Sequence, residues 1–413
     1  MERVGEVAVI FPPPGGDWTP ALISVAGISV FTRVLLAAER AGIKQFFILS
    51  RNYTTRLREL LAERVIKAEV HWFDTDPSRF IKYLQKKHLS FFSLNAATLF
   101  DPEIFRHVVE AFGDDAEVLL PAMSNDTDTI GGVALAAPHL LFPFSQIIEQ
   151  EKLSDWLDFL TFSKSYKNKI IHLPRGTLFL DASSQSFNEI ENSLYRSLGK
   201  SSDTTLIRLT RKAAIPLVRR LAITSATPNH VTIAGFLIGL CSIGLFLGVE
   251  YVFVVSGAIL FTLSYVVDLA DGMIARLKFT ESRTGALLDY VLDNITHLGL
   301  FASLVWVVHA RSPEKPILFL GGLLLGGSLL SAILFGWYQK KKGKGLGKGP
   351  VLRQHMERIV EAFRHRDFAF FLLIAAIFNR VDWFFYASVI GVNFFWIINL
   401  LLIIMGVREV SKT

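Results

Sequence analysis

From residue 231 onward, apolar runs follow one another at lengths that a small soluble domain has no room to bury. A helix crossing the hydrocarbon of a bilayer needs about 20 residues. The runs 231–248, 252–275, 286–310, 317–337 and 383–406 approach or reach that length, and 368–378 is a shorter sixth that must extend to cross. The expectation is an all-α domain of six transmembrane helices. Composition agrees, because only 19% of the 413 residues are charged, against roughly 25% in an ordinary soluble domain.

Charge divides the chain in the same way. Residues 1–190 hold 19 Lys and Arg against 23 Asp and Glu, leaving 24 basic and 14 acidic residues for the remainder. A greasy, basic C-terminal half points to a membrane segment with basic cytoplasmic edges and not to nucleic acid binding. With the N-terminal half inside, 276–284 and 340–366 fall on the cytoplasmic side. The second of these holds nine Lys and Arg, whereas the outer connections 249–251 and 379–382 hold almost none. Ahead of the first run, 206–223 interleaves Arg208, Arg211, Lys212, Arg219 and Arg220 with Leu, Ile and Val. That pattern predicts an interfacial helix on anionic lipid, bent or broken at Pro216. The first ten residues carry Glu2 and Glu6 with no long apolar run after them, so no cleavable leader is expected. Cys241 stands alone, which excludes an intrachain disulfide and a cysteine zinc site. The expectation is a multi-pass protein of the cell (inner) membrane with its N-terminal domain in the cytoplasm.

The N-terminal part alternates short apolar runs with helical periodicity. Strands are expected at 6–11, 45–50, 68–73 and 89–94, and helices at 30–41, 54–63, 76–87 and 101–112. Gly42 closes the first helix, while Pro77 and Pro102 open the last two. Repeated strand–helix units predict an open, mostly parallel α/β sheet. Over about 5–195 this stretch resembles the Rossmann-like nucleotidyltransferase domain of sugar-phosphate and inositol-phosphate cytidylyltransferases. The likeness rests on 20–31, on the run Leu94 to Asp101, and on Leu178-Phe179-Leu180-Asp181. That family neutralises a triphosphate with an Arg and a Lys around a Gly-rich loop, but here 12–21 contains neither residue. Ala97 stands where the resemblance places the first metal-holding Asp. A transition state gathering phosphate charge needs cations aimed at it, so this domain is expected to be catalytically degenerate. The domain division is expected at 1–195 and 196–413.

Chemistry concentrates in the second and third apolar runs. They read Asp268-Leu-Ala-Asp271-Gly272-Met-Ile-Ala275-Arg276, then eight residues, then Gly285-Ala-Leu-Leu-Asp289-Tyr-Val-Leu-Asp293. Asp268 and Asp271 share one helix face, and so do Asp289 and Asp293. Carboxylates at membrane depth are costly unless they face a partner or a polar cavity. Four converging acids repel one another unless cations sit among them, and hard divalent ions with oxygen ligands suit them best. Gly272 and Gly285 allow close approach, and Arg276 can meet a phosphate at the cytoplasmic mouth. Polar helix packing, or a transporter's ion pathway, is the competing reading of these acids.

This text is similar at every fixed position to the signature of the CDP-alcohol phosphotransferase superfamily, Asp-x-x-Asp-Gly-x-x-Ala-Arg, eight residues, Gly-x-x-x-Asp-x-x-x-Asp. The resemblance implies that Asp268, Asp271, Asp289 and Asp293 surround two Mg2+ or Mn2+ ions, with Asp293 also the general base. It implies a CDP pocket formed by Asp268, Gly272, Ala275, Arg276 and Gly285, and a homodimer. The implied donor is a CDP-linked lipid or alcohol such as CDP-diacylglycerol, and the acceptor a hydroxyl compound, for instance a polyol or polyol phosphate. Arg211, His297 and Arg366 are the candidates for holding that acceptor, and Asn294 follows the fourth Asp where relatives with phosphorylated acceptors often carry a base. A nucleotidyltransferase-like domain fused to this module resembles the bifunctional inositol-phosphate cytidylyltransferase and di-inositol-phosphate phosphate synthases. Two further readings are a nucleotide-sensing module on a membrane scaffold and a transporter, which would move solute without making CMP.

Overall fold

The computed structural model describes residues 6–62, 64–73, 90–112, 117–123, 132–137, 140, 155–173, 177–199, 203, 205–342 and 368–410. Its contacts separate two units, Met1–Leu198 and Gly199–Thr413.

In the first unit, the most apolar runs become central strands because both of their faces are covered. The sheet contains β1 (Val7–Phe11), β2 (Gln45–Leu49), β3 (Glu69–Phe73), β4 (Phe91–Asn95), β5 (Val118–Met123), β6 (Val133–Ala136) and β7 (Asn168–Leu173). The spatial order is β7-β5-β6-β4-β1-β2-β3. β1 pairs in parallel with β2 and β4, and β2 with β3. β6 alone runs antiparallel, between β4 and β5. Every residue of β1 and β4 is buried, as strands covered on both faces require. One face packs Val7, Val9, Phe11 and Phe91 against Trp156 and Phe159 of helix Trp156–Ser163. The mostly parallel sheet is what the strand–helix alternation implies. The helix expected over 76–87 lies outside the described residues.

Helix Val30–Arg40 starts where the Ser29 hydroxyl accepts from Thr32 N, and stops before Gly42, whose φ of +109° suits glycine alone. Arg33 on this helix is 2% exposed and donates through Nε and Nη2 to the Val25 carbonyl at 3.2 and 2.8 Å. Burial pulls its guanidinium down to about 9.

In the second unit, Thr205–Ala222 is one helix that continues through Pro216, where the sequence suggested a bend or a break. Its buried side, including Ile207, Ala214 and Val218, lies on helix Tyr251–Leu277, and that packing holds the turn that Pro216 weakens. Among the described residues five helices are long and apolar enough to cross a membrane. They are Pro228–Phe246, Tyr251–Leu277, Arg283–Arg311, Ile317–Trp337 and Val381–Ile404. The expected sixth is described only as the ten-residue helix Phe368–Ile377. Ten residues rise about 15 Å, half the hydrocarbon thickness, so among the described residues five full spans are present where six were expected.

Small residues bring the first three membrane helices together. Ser264 Oγ donates to the Gly235 carbonyl at 2.8 Å, and Ser242 Oγ to the Gly257 carbonyl at 2.7 Å. A Cβ on Gly239 would lie 2.8 Å from Thr296 Cγ2 and 3.3 Å from Ser264 Oγ. Gly239→Val is therefore expected to destabilise this bundle by about 1–3 kcal/mol through overpacking. A lowered unfolding midpoint of the detergent-solubilised protein would register it, and an unchanged midpoint would refute the close packing.

Candidate active site

A tight reversal of the chain assembles the site. Helix Tyr251–Leu277 carries Asp268, Asp271, Gly272, Ala275 and Arg276 in its last turns, and Arg283–Arg311 carries Gly285, Asp289, Asp293 and His297 from its start. Lys278 caps the first of these helices. Phe279 then takes a left-handed φ of +56°, and Thr280 N donates back to the Ala275 carbonyl at 2.9 Å. Ser282 restarts the helix by accepting from Gly285 N at 3.0 Å. The hairpin brings the C-terminal end of one helix beside the N-terminal turns of the next, so acids far apart in sequence face each other.

Asp268, Asp271 and Asp289 each present a ligand oxygen, and the three oxygens lie within 4.8 Å of one another. Asp271 is buried, and the Thr232 hydroxyl from the first membrane helix donates to its Oδ2. Three carboxylates converging at membrane depth, one of them oriented by a hydroxyl, form an all-oxygen donor set suited to Mg2+ or Mn2+. Asp293 is not one of the three. It sits four residues beyond Asp289, about 6 Å further along the helix axis and on the same face.

The glycines of the motif open the site. At Gly272 an added Cβ would meet only Arg276 Nη1, at 3.6 Å. At Gly285 it would collide with Ser282 Oγ at 2.9 Å and press on Asn229 Oδ1 at 3.1 Å. Asn229 and Thr232 thus reach the hairpin from the first turns of the first membrane helix. In the sequence, Thr227-Pro228-Asn229 stands just ahead of the first apolar run. Polar residues one turn apart at the same end of the bundle as the Asp motif were the available signal.

The acceptor candidates are placed apart. Arg211 is buried and gives Nε and Nη2 to Asp203 at 2.6 and 3.3 Å, a paired environment and not an open anion site. His297 packs edge-on to Phe368 at 5.4 Å between ring centres, and its Nε2 is buried with no hydrogen-bond partner. Asn294 Nδ2 donates to the Tyr290 carbonyl at 2.7 Å. Arg366 lies outside the described residues.

In the first unit the loop after β1 shows why cations are missing. Gly15 N–H donates to Asp155 Oδ2 at 2.7 Å, and Asp155 Oδ1 accepts from Asp158 N at 3.0 Å. A cavity of about 370 Å³ lies beside it, lined by Pro12, Gly15, Gly16, Trp18, Asn52, Tyr53 and Asp155. The Gly15 amide is thus satisfied by a carboxylate, and no Lys or Arg stands among these lining residues. Ala97 is fully buried, and its N–H donates to Asn95 Oδ1 at 3.0 Å. Asp181 pairs across the short ladder with Thr98, next to that alanine.

The sequence model of the CDP-alcohol phosphatidyltransferase family matches residues 225–397. No curated protein matches the chain. Among solved structures, the N-terminal part is similar to the inositol-1-phosphate CTP transferase of T. maritima, at 11% identity and a TM-score of 0.34, covering 48% of this chain and 98% of that one. It is also similar to 4-diphosphocytidyl-2C-methyl-D-erythritol synthase of Anaerococcus prevotii, at 14% identity and a TM-score of 0.33, covering 46% and 97%. A further similar structure is phosphatidylinositol phosphate synthase of Mycobacterium tuberculosis with CDP-DAG bound. Its identity is 20% and its TM-score 0.30, with 48% of this chain and 92% of that one covered.

Proposed function

We propose that the membrane domain, which carries a CDP-alcohol phosphatidyltransferase module at 225–397, moves a phosphatidyl or phospho-alcohol group from a CDP-linked donor to an acceptor hydroxyl and releases CMP. The observation that carries this reading is the convergence of Asp268, Asp271 and Asp289, with Asp293 one turn beyond. Divalent ions bound there would neutralise the donor pyrophosphate and the charge that develops on departing CMP. Arg276 adds a fixed positive charge beside the open face of Gly272, where a diphosphate fits. Asn229 and Gly285 bound the cytidine side of the same pocket. Asp293 takes the proton of the acceptor hydroxyl as its oxygen bonds to the β-phosphorus and the bond to the CMP oxygen breaks. Arg211, already paired, acts by holding its helix in place; His297 Nε2 is left to orient the acceptor.

The basic segment 340–366 and the hairpin turn support placement of the site on the cytoplasmic face of the cell membrane, and the enzyme works as a homodimer. Purified protein given radiolabelled CDP-diacylglycerol and a panel of polyols, polyol phosphates and glycerophosphate should release CMP with one of them. Its loss with EDTA and return with Mg2+ or Mn2+ is the expected companion result. Solute flux without CMP would overturn the transferase reading in favour of a transporter.

The N-terminal domain is assigned a scaffold or ligand-sensing role. Full-length protein offered Mg2+, CTP and inositol phosphate should release no pyrophosphate above background. Metal-dependent pyrophosphate release would reinstate the bifunctional reading.

A further inference from the structure

One buried lysine ties together three of the pieces around the site. Lys278 is 8% exposed, and its ammonium donates to the carbonyls of Leu221, Thr224 and Ala226 at 3.2, 2.8 and 2.9 Å. An ammonium has three N–H donors, and each has a carbonyl here. The Leu221 carbonyl belongs to the last turn of helix Thr205–Ala222, whose negative dipole end a cation stabilises. The other two lie in the connection that leads to Thr227, the cap of the first membrane helix, and so to Asn229 and Thr232. Lys278 itself caps the helix of Asp268 and Asp271, two residues past Arg276. A residue so placed cannot offer its charge to a substrate without releasing that connection. Its role is therefore positional.

The helix that Lys278 holds has two different faces. Ile207, Thr210, Arg211, Ala214, Val218 and Ala222 are buried, with the Arg211–Asp203 pair fixing the first half. The opposite face exposes Arg208, Lys212 and Arg220, together with Leu209 and Ile223 at 63% and 77% exposure. Cations alternating with bare aliphatic side chains fit an anionic lipid surface: the charges meet headgroups while the side chains enter the acyl boundary.

We propose that Lys278 couples the seating of this helix on anionic lipid to the donor pocket, so that affinity for the CDP-linked donor rises with anionic lipid only while Lys278 is present. The donor part of this statement rests on the proposed function; the coupling itself does not.

The test uses full-length protein in vesicles of phosphatidylcholine alone and of phosphatidylcholine mixed with phosphatidylglycerol, with two readouts. Hydrogen exchange over 271–280 should slow in the anionic vesicles for the wild type and for Lys278→Arg, and should not respond in Lys278→Met. KM for CDP-diacylglycerol should fall about 5-fold or more with anionic lipid in the wild type, with kcat nearly constant. Lys278→Met should keep the high KM in both vesicles. The surface variant Arg208→Gln/Lys212→Gln/Arg220→Gln leaves the buried contacts intact and should lose the same response, which separates coupling from misfolding. An intact lipid response in Lys278→Met, or in the surface variant, would overturn the proposal. A normal exchange response without any CMP release would instead overturn the transferase reading and leave the coupling standing.

Discussion

Asp293→Asn should slow CMP release by about 10²–10⁴-fold, the usual worth of a positioned general base, while Mg2+-dependent binding of CDP-diacylglycerol persists. The substitution keeps the size of the side chain and removes only its ability to take a proton. Asp268, Asp271 and Asp289 converge without Asp293, so the oxygens that would hold the metal remain. The measurement is a pair: equilibrium binding of labelled donor, and release of labelled CMP in a single turnover. Loss of both would make Asp293 a metal or folding residue. Full turnover would remove it from the chemistry altogether.

Asp271→Asn is expected to reduce turnover to background and weaken Mn2+ binding with it. Asp271 is the most buried acid of the trio and the one that Thr232 orients. Replacing one anionic ligand of three removes charge that the cluster needs to hold a divalent ion. Thr232→Val should be milder, weakening metal affinity by about 10–100-fold as loss of an orienting partner does, and extra Mn2+ should recover its rate. Titration calorimetry with Mn2+ ranks the three proteins. Wild-type Mn2+ affinity in Asp271→Asn would show that the trio is not the metal-holding set.

The membrane architecture was readable because bilayer thickness translates directly into run length. Five of the expected spans appear as helices whose ends lie within five residues of the predicted limits. The weak sixth was the one whose apolar run was too short, and the described residues contain ten residues of it, Phe368–Ile377. The Asp motif was readable because helical spacing places Asp268 with Asp271, and because the eight-residue connection suffices for a tight reversal. In the first unit the buried runs became β1, β2 and β4 as expected. The antiparallel β6 was not foreseen, since nothing in Val133–Ala136 records that it inserts between β4 and β5.

Pairings across long separations were out of reach. Asp155 satisfies Gly15 from 140 residues away, and Thr232 meets Asp271 from 39 away. Arg211 read as an anion contact because its charge is visible in the sequence, while its burial against Asp203 is not. Lys278 lies in the connection 276–284, and nothing local in the sequence records its three carbonyl partners.

Run length, helical spacing and composition were enough to reveal the apolar spans, the acids that share a helix face, and a first-domain loop without cations. These are properties of local composition and of a fixed helical period. The convergence of Asp268, Asp271 and Asp289, the Thr232 hydroxyl on Asp271, Asn229 beside Gly285 and the tie of Lys278 to the surface helix emerge only in the folded chain. Each of those depends on which helix packs against which, through contacts at Gly235, Gly239 and Gly285 that no local pattern encodes.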